Sequence, residues 1–480
     1  MTIADATPRL DIQARTDTAF LGHPKGLGYL SFTEACERFS YYSMQTLLVL
    51  YMVHQLLLPG HVDRIVGFGW FHQTFYPSLN GQPLASAIFG SYTSLVYLTP
   101  ILGGLVADWL IGRRLTVALG AILMSLGHFL MAFDQTFLLA LFSLVLGVGC
   151  FKGNIASQVG ALYGPTDLRR AMAFQIFYIA INVSVIAGPL VSGTLGQKVG
   201  WHYGFGAAGV MMVVGLIIYL SGQRYLAPED NRGRVPRAER EKLTRQDWPP
   251  LIALLLLIPV LAIAILTNQE IFNAYLVWGD QKFDLGVNLG FLSFLRFIPH
   301  SWLHFTMPSS WLITIDATLS FSMLVAVAAF WKWWSIRRRE PDELSKMIIG
   351  SLFTMAGGMC LFTAALTQSA TGGKIGLFWP LMFHLLNSIG FAHILPISLA
   401  LFSKVAPKAI NATVIGLYYL AFAAANAVVG WVGGLYSSLP TTTFWLLHVA
   451  SAGVGLIAFI LFKLVLGKKL TRAEPADPLP

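Results

Sequence analysis

Six ionisable side chains fall inside apolar runs long enough to cross a bilayer: Glu34, Glu37, Arg38, Lys152, Glu270 and Asp316. A charge at mid-membrane costs about 3 kcal/mol on an insertion scale, so each needs a protein partner or a wet cavity. The run bearing Glu34, Glu37 and Arg38 recovers only about 3–6 kcal/mol from its roughly ten strongly apolar residues. It cannot turn those charges to lipid. Their spacing puts Glu34, Glu37, Arg38 and Tyr41 along one helical face. Two acids beside one base leave a carboxylate in surplus, the raw material of a proton-exchange site. A static pair that locks helices together is the competing reading.

Lys152 lies in Gly147-Val-Gly-Cys-Phe-Lys-Gly-Asn154, where glycines on both sides thin the helix and admit a neighbour or a ligand. A buried ammonium needs an anion, which here means Glu34, Glu37 or a substrate carboxylate. Asp316 lies deeper in its run than Glu270, which is left open between a buried acid and a loop-facing one. His384 and His393 sit nine apart, on nearly opposite helical faces, so no metal site is expected from them. His54, His61 and His72 read as decoration of an outer loop. No zinc-type HExxH, no GxSxG elbow and no phosphate-binding P-loop occurs, so an enzyme is not expected.

The elements that must position these groups are long and apolar. The 480-residue chain is 55% hydrophobic and 11% charged, against about 25% charged for a soluble protein. An all-α membrane protein follows. Twelve spans are expected at 27–57, 85–107, 114–133, 136–162, 171–197, 203–222, 249–279, 309–334, 346–367, 376–403, 410–436 and 442–466. They divide into a cytoplasmic tail (1–26), a first six-helix bundle (27–222), a polar linker (223–248), a second bundle (249–467) and a closing tail (468–480). With both termini inside, 25 of the 32 Lys and Arg fall in cytoplasmic segments or at the cytoplasmic ends of spans, five outside, and two, Arg38 and Lys152, deep within spans. That asymmetry sets the orientation. The net charge of +9 is thus a topological signal, and nucleic acid drops out as a partner. The opening residues lack the basic, apolar and small-residue stretches of a secretory signal. Cys36, Cys150 and Cys360 lie in apolar runs and imply neither disulfides nor a metal cluster.

Glu34-Ala-Cys-Glu-Arg-Phe-Ser-Tyr-Tyr42 resembles the ExxERFxYY motif on the first helix of the proton-dependent oligopeptide transporters of the major facilitator superfamily. Gly103-Gly-Leu-Val-Ala-Asp-Trp-Leu-Ile-Gly-Arg-Arg114 is similar to the superfamily's loop between helices two and three. Phe177-Tyr-Ile-Ala-Ile-Asn182 is similar to the family's FYxxIN motif, and Phe151-Lys-Gly-Asn154 to its fourth-helix lysine motif. The likeness runs from about residue 24 to 467 and is stronger in the first half. It implies two six-helix bundles around a pocket that opens alternately to each side; bacterial relatives often insert two extra helices between the halves, for which the linker here is too short and polar. It further implies a bacterial inner-membrane symporter of di- or tripeptides and protons, monomeric, with no cofactor beyond the proton gradient. Glu34, Glu37, Arg38 and Glu270 would serve proton coupling. Lys152 would receive the peptide carboxyl terminus, with Tyr41, Tyr42, Tyr92 and Asn182 lining the pocket.

The departures from the family carry their own expectations. Gln45 and Asn268 stand where the family has an arginine and an acid that close an outer gate. Losing both charges is coherent, since one alone would be buried unpaired, and a Gln–Asn hydrogen bond would replace the pair. Phe391 stands in place of the tenth-helix glutamate that meets the peptide amine, and Asp316 in place of an asparagine. Asp316 is therefore expected to supply the amine-binding carboxylate. The alternative is a transporter of the same fold for a modified peptide, an anion or a drug, with altered coupling.

Overall fold

The structure is a computed structural model and describes residues 17–164, 167–228, 243–288, 290, 303–407 and 410–470. Most of the expected first tail and linker, Arg296 and the last ten residues lie outside the described residues. A helix meets each of the twelve expected spans: α1 Lys25–Tyr51, α2 Gly81–Val106, α3 Arg113–Leu130, α4 Phe137–Ala161, α5 Arg169–Lys198 and α6 Trp201–Gly222. After these come α7, α8 Trp311–Ser335, α9 Glu343–Thr371, α10 Phe378–Val405, α11 and α12 Thr441–Leu470. Ten segments are long and apolar enough to cross a membrane. The remaining two are α1, which carries Glu34, Glu37 and Arg38, and α3, which is only 18 residues long and begins on Arg113 and Arg114.

Two helices expected to be continuous are broken. The seventh runs as Trp248–Ala264, Leu266–Glu270 and Ala274–Lys282. The polar run Asn268-Gln269-Glu270 and Asn273 offers the backbone side-chain partners that compete with helix bonds, and the Glu270 carboxylate accepts the Ala274 N–H at 3.1 Å. The eleventh is interrupted at Tyr419, between Asn411–Tyr418 and Leu420–Gly434. A short helix, Phe68–Phe75, and an antiparallel hairpin of Gly286–Asn288 with His304–Thr306 add structure the apolar pattern does not announce.

The chain forms two compact units. The first holds α1, α3–α6 and α2 from Leu95 onward; the second holds residues 79–94 and α7–α12. In lipid, close packing replaces the hydrophobic drive between helices, and glycine provides the approach. In the first unit a Cβ on Gly103 of α2 would lie 1.9 Å from the Gly149 carbonyl oxygen of α4. In the second, a Cβ on Gly90 would lie 2.4 Å from Gly430 Cα. Thus α2 is shared, its early turns seated on α11 and its later turns on α4. Within the first unit α1 packs along α5 and α6, where Gly188 meets the Phe39 carbonyl and Gly215 meets Cys36. The second unit's core gathers Leu254, Leu257, Phe402, Ala425 and Phe459. Large apolar side chains such as Leu115, Phe142, Ile217 and Leu464 remain exposed, as a lipid-facing surface requires.

Candidate functional site

The packing of α1 on α5 and α6 fixes which face of α1 is left for chemistry. Cys36, Ser40 and Leu47 are turned to the supporting helices, with Ser40 Oγ donating to the Ala208 carbonyl at 2.7 Å. The remaining face presents Glu34, Glu37, Arg38 and Tyr41, all buried. Arg38 Nε lies 3.0 Å from Glu34 Oε1 and 2.5 Å from Glu37 Oε2. One guanidinium thus holds two carboxylates. Glu34 Oε2 and Glu37 Oε1 are buried with no hydrogen-bond partner among the described residues.

Lys152 of α4 is half-buried. Among the described residues, neither Glu34 nor Glu37 comes within the 4 Å of an ion pair with it, although both lie near enough to attract it. Its ammonium sits instead over the Tyr97 ring at 4.4 Å and 5.8 Å from the centre of Tyr41. The Arg38 guanidinium lies 5.2 Å from the same Tyr41 ring. Two cations therefore lie near one tyrosine ring, a contact worth about 0.5–2 kcal/mol each. With both glutamates ionised the four charges sum to zero. An incoming carboxylate at Lys152 would make the cluster negative, and a proton on either glutamate would restore neutrality.

Other expected pocket residues are arranged less uniformly. Tyr42 packs edge-on against Tyr41 at 5.2 Å. Asn182 donates to the Tyr178 carbonyl of its own helix at 2.8 Å. Tyr92 is buried in the part of α2 that clusters with the second unit. From α2, Tyr97 is the aromatic that meets Lys152; sequence reasoning passed over it, since only its side of the helix distinguishes it from Tyr92. Gln45 is buried in the first unit. Asn268, in the second, accepts from Gln269 Nε2 at 3.0 Å, and Gln269 Oε1 accepts from Asn426 Nδ2 at 3.2 Å.

The acids of the second unit each have a histidine that the sequence did not pair with them. Asp316 Oδ1 lies 2.9 Å from His384 Nδ1, and His384 Nε2 lies 2.8 Å from the Tyr275 hydroxyl. His384 thus bridges Asp316 and Tyr275, one ring nitrogen to each. One Asp316 oxygen stays outside this chain. Glu270 is wholly buried rather than loop-facing, with His448 Nε2 of α12 at 3.6 Å from its Oε2. Phe391 is half-buried against the second unit's apolar core.

Residues 114–245 match the model of the POT family. YclF, a transporter of Bacillus subtilis, is 28% identical and aligns over 94% of this chain and 94% of its own length. The peptide transporter YePEPT of Yersinia enterocolitica is 29% identical over 88% of this chain and 91% of its own. A solved peptide transporter, POT in complex with sulfate, shares the fold with a TM-score of 0.78 at 23% identity, covering 96% of this chain and 99% of that one. With the charged face of α1 and the lysine of α4 on a helical framework of the same fold, the chain is similar to POT-family transporters over nearly its whole length.

Proposed function

We propose that this transporter imports di- or tripeptides with protons across a bacterial inner membrane by alternating access, as a monomer with both termini in the cytoplasm. The observation that carries the reading is Lys152: a half-buried ammonium on two tyrosine rings, with no carboxylate within ion-pair distance among the described residues. It is poised for an anion from outside the protein, and a peptide carboxyl terminus is such an anion. Glu34, Glu37 and Arg38 complete the account, since a proton on a glutamate loosens the Arg38 clamp as the substrate charge arrives. Tyr41, Tyr42 and Asn182 supply polar and aromatic walls of the pocket, and Tyr92, from the early part of α2, lines it too. Asp316, with one oxygen outside its bond to His384, is the proposed acceptor for the peptide amine. Gln45 and Asn268 form the neutral outer gate. The proton gradient drives the cycle, each charge crossing being worth about 2.3 kcal/mol per 100 mV.

The test is uptake of dialanine into proteoliposomes with and without an imposed pH gradient, for the wild type and Lys152→Ala. Gradient-driven uptake that Lys152→Ala abolishes supports the reading; uptake indifferent to both ends it. A second reading, transport of a modified peptide, an anion or a drug, is favoured by Phe391, which offers an amine only an apolar surface. Counterflow of labelled dipeptide against acetylated dipeptide separates the two.

A further inference from the structure

Two histidines in the second unit are held in the same way but finished differently. Nδ1 of His393 lies 2.8 Å from the Ile389 carbonyl, and Nδ1 of His448 lies 3.0 Å from the Phe444 carbonyl. A backbone carbonyl only accepts, so each Nδ1 carries the hydrogen, and Nε2 of the neutral ring is a bare acceptor. His393 Nε2 is matched by a donor, Trp331 Nε1–H, at 3.1 Å. His448 Nε2 faces an acceptor, Glu270 Oε2, at 3.6 Å. Neither of those two atoms has a hydrogen-bond partner among the described residues, and both side chains are 0% exposed. An ionised glutamate against a neutral imidazole would set two lone pairs against each other beside an uncompensated buried charge, an arrangement that costs several kcal/mol. The geometry closes only with a proton between them.

The surroundings leave that proton to this pair. From α7 come Gln269, Asn273 and Tyr275; from α11, Asn426 and Gly433; from the start of α2, Gln82 and Ser86; from α12, the rings of Phe444 and Trp445. All are uncharged, and among the described residues no charged group besides His448 acts on Glu270. A Cβ on Gly433 would lie 2.8 Å from Glu270 Oε1 and 2.1 Å from Asn273 Nδ2, so glycine there lets the carboxylate and the amide press against α11. Asn273 Oδ1 accepts from Ser86 Oγ at 2.9 Å, and Gln82 Nε2 donates to Ser86 Oγ at 2.8 Å and to the Gly433 carbonyl at 2.9 Å. Glu270 also caps the last piece of the broken α7 through Ala274 N–H. Its charge state therefore bears directly on a helix break, the place where transporters build ion sites.

We propose that Glu270 and His448 bind one proton between them and form the proton site of the second unit, beside the position where Asn268 replaces the family's acid. This rests on the proton-coupled reading above and adds His448 as the partner that sets how Glu270 takes up and releases its proton. The test compares wild type, Glu270→Gln and His448→Gln in proteoliposomes, with thermal unfolding in detergent to show that each variant is folded. A glutamine amide at position 270 would still accept from Ala274 and would donate to His448, but it has no proton to release. Glu270→Gln is expected to lose more in gradient-driven uptake than in counterflow, and His448→Gln to shift the pH profile of uptake. Equal loss in both assays, or none in either, overturns the proposal. If the wild type itself ignores the gradient, the symport reading fails, and the pair is judged by infrared difference spectra of the purified protein on changing pH. A carboxyl band that vanishes in Glu270→Gln and moves in His448→Gln supports the shared proton; an unchanged spectrum in both refutes it.

Discussion

Replacing Lys152 with alanine separates a substrate-binding ammonium from a structural one, because the two roles predict opposite outcomes. The structure gives Lys152 two aromatic contacts, 4.4 and 5.8 Å from the ring centres, and no ion pair among the described residues. Its removal should therefore cost the fold no more than about 0.5–2 kcal/mol for the cation–π contact, offset by relief of a desolvated charge. A substrate carboxylate held 4 Å from the ammonium, at an effective dielectric constant near 20, interacts by about 4 kcal/mol. That corresponds to roughly three decades in Kd. Binding of dialanine and of its carboxyl-terminal amide to the purified protein reads this directly. The wild type should prefer the free acid strongly, and Lys152→Ala should bind both alike, at the weak level of the amide. A variant that still discriminates acid from amide, or one that unfolds at ordinary temperature, would refute the assignment and make Lys152 a packing residue.

Other expectations follow from single contacts. Gly103→Ala forces a methyl to 1.9 Å from the Gly149 carbonyl oxygen, while Gly104→Ala enters open space; the first should lower thermal stability by at least about 1–3 kcal/mol and the second leave it unchanged. Asp316→Asn should abolish the advantage of a free-amine dipeptide over its acetylated form in uptake competition, and unchanged selectivity would remove Asp316 from amine binding. Just before the start of α1, His23 Nδ1 lies 2.9 Å from the Tyr163 hydroxyl. Burial first, then Arg169, hold the His23 imidazole below its ordinary value, with Asp167 pulling the other way. A depressed value means that the contact contributes fully above the usual histidine range, near about 6.5, and is lost as pH falls below it. Thermal unfolding of the wild type should thus weaken more steeply on mild acidification than that of His23→Gln.

Much of the fold is legible in the chain because a bilayer imposes a simple rule on it. Apolar runs of the right length announce the helices without knowledge of any contact. The breaks in α7 and α11 escaped that rule. Before Ala274 in α7 a side chain, Glu270, takes a backbone N–H, and an average over apolar residues cannot register one such bond. The charged face of α1 was readable for a related reason: residues three and four apart on a helix are neighbours by geometry alone.

Pairings between helices are another matter. The sequence determined that Glu34, Glu37 and Arg38 share a face, that Lys152 lies sheltered between glycines, and that the second half keeps two acids within its spans. Only the tertiary structure decided that Lys152 rests on Tyr97 and Tyr41 rather than on either glutamate, that His384 and Tyr275 tie up one oxygen of Asp316, and that His448 stands opposite Glu270. Each of these partners lies dozens of residues or more from its mate. Whether they meet depends on helix rotation and on close approaches such as Gly433 against Glu270, and those are set by packing across neighbouring helices, not by local spacing.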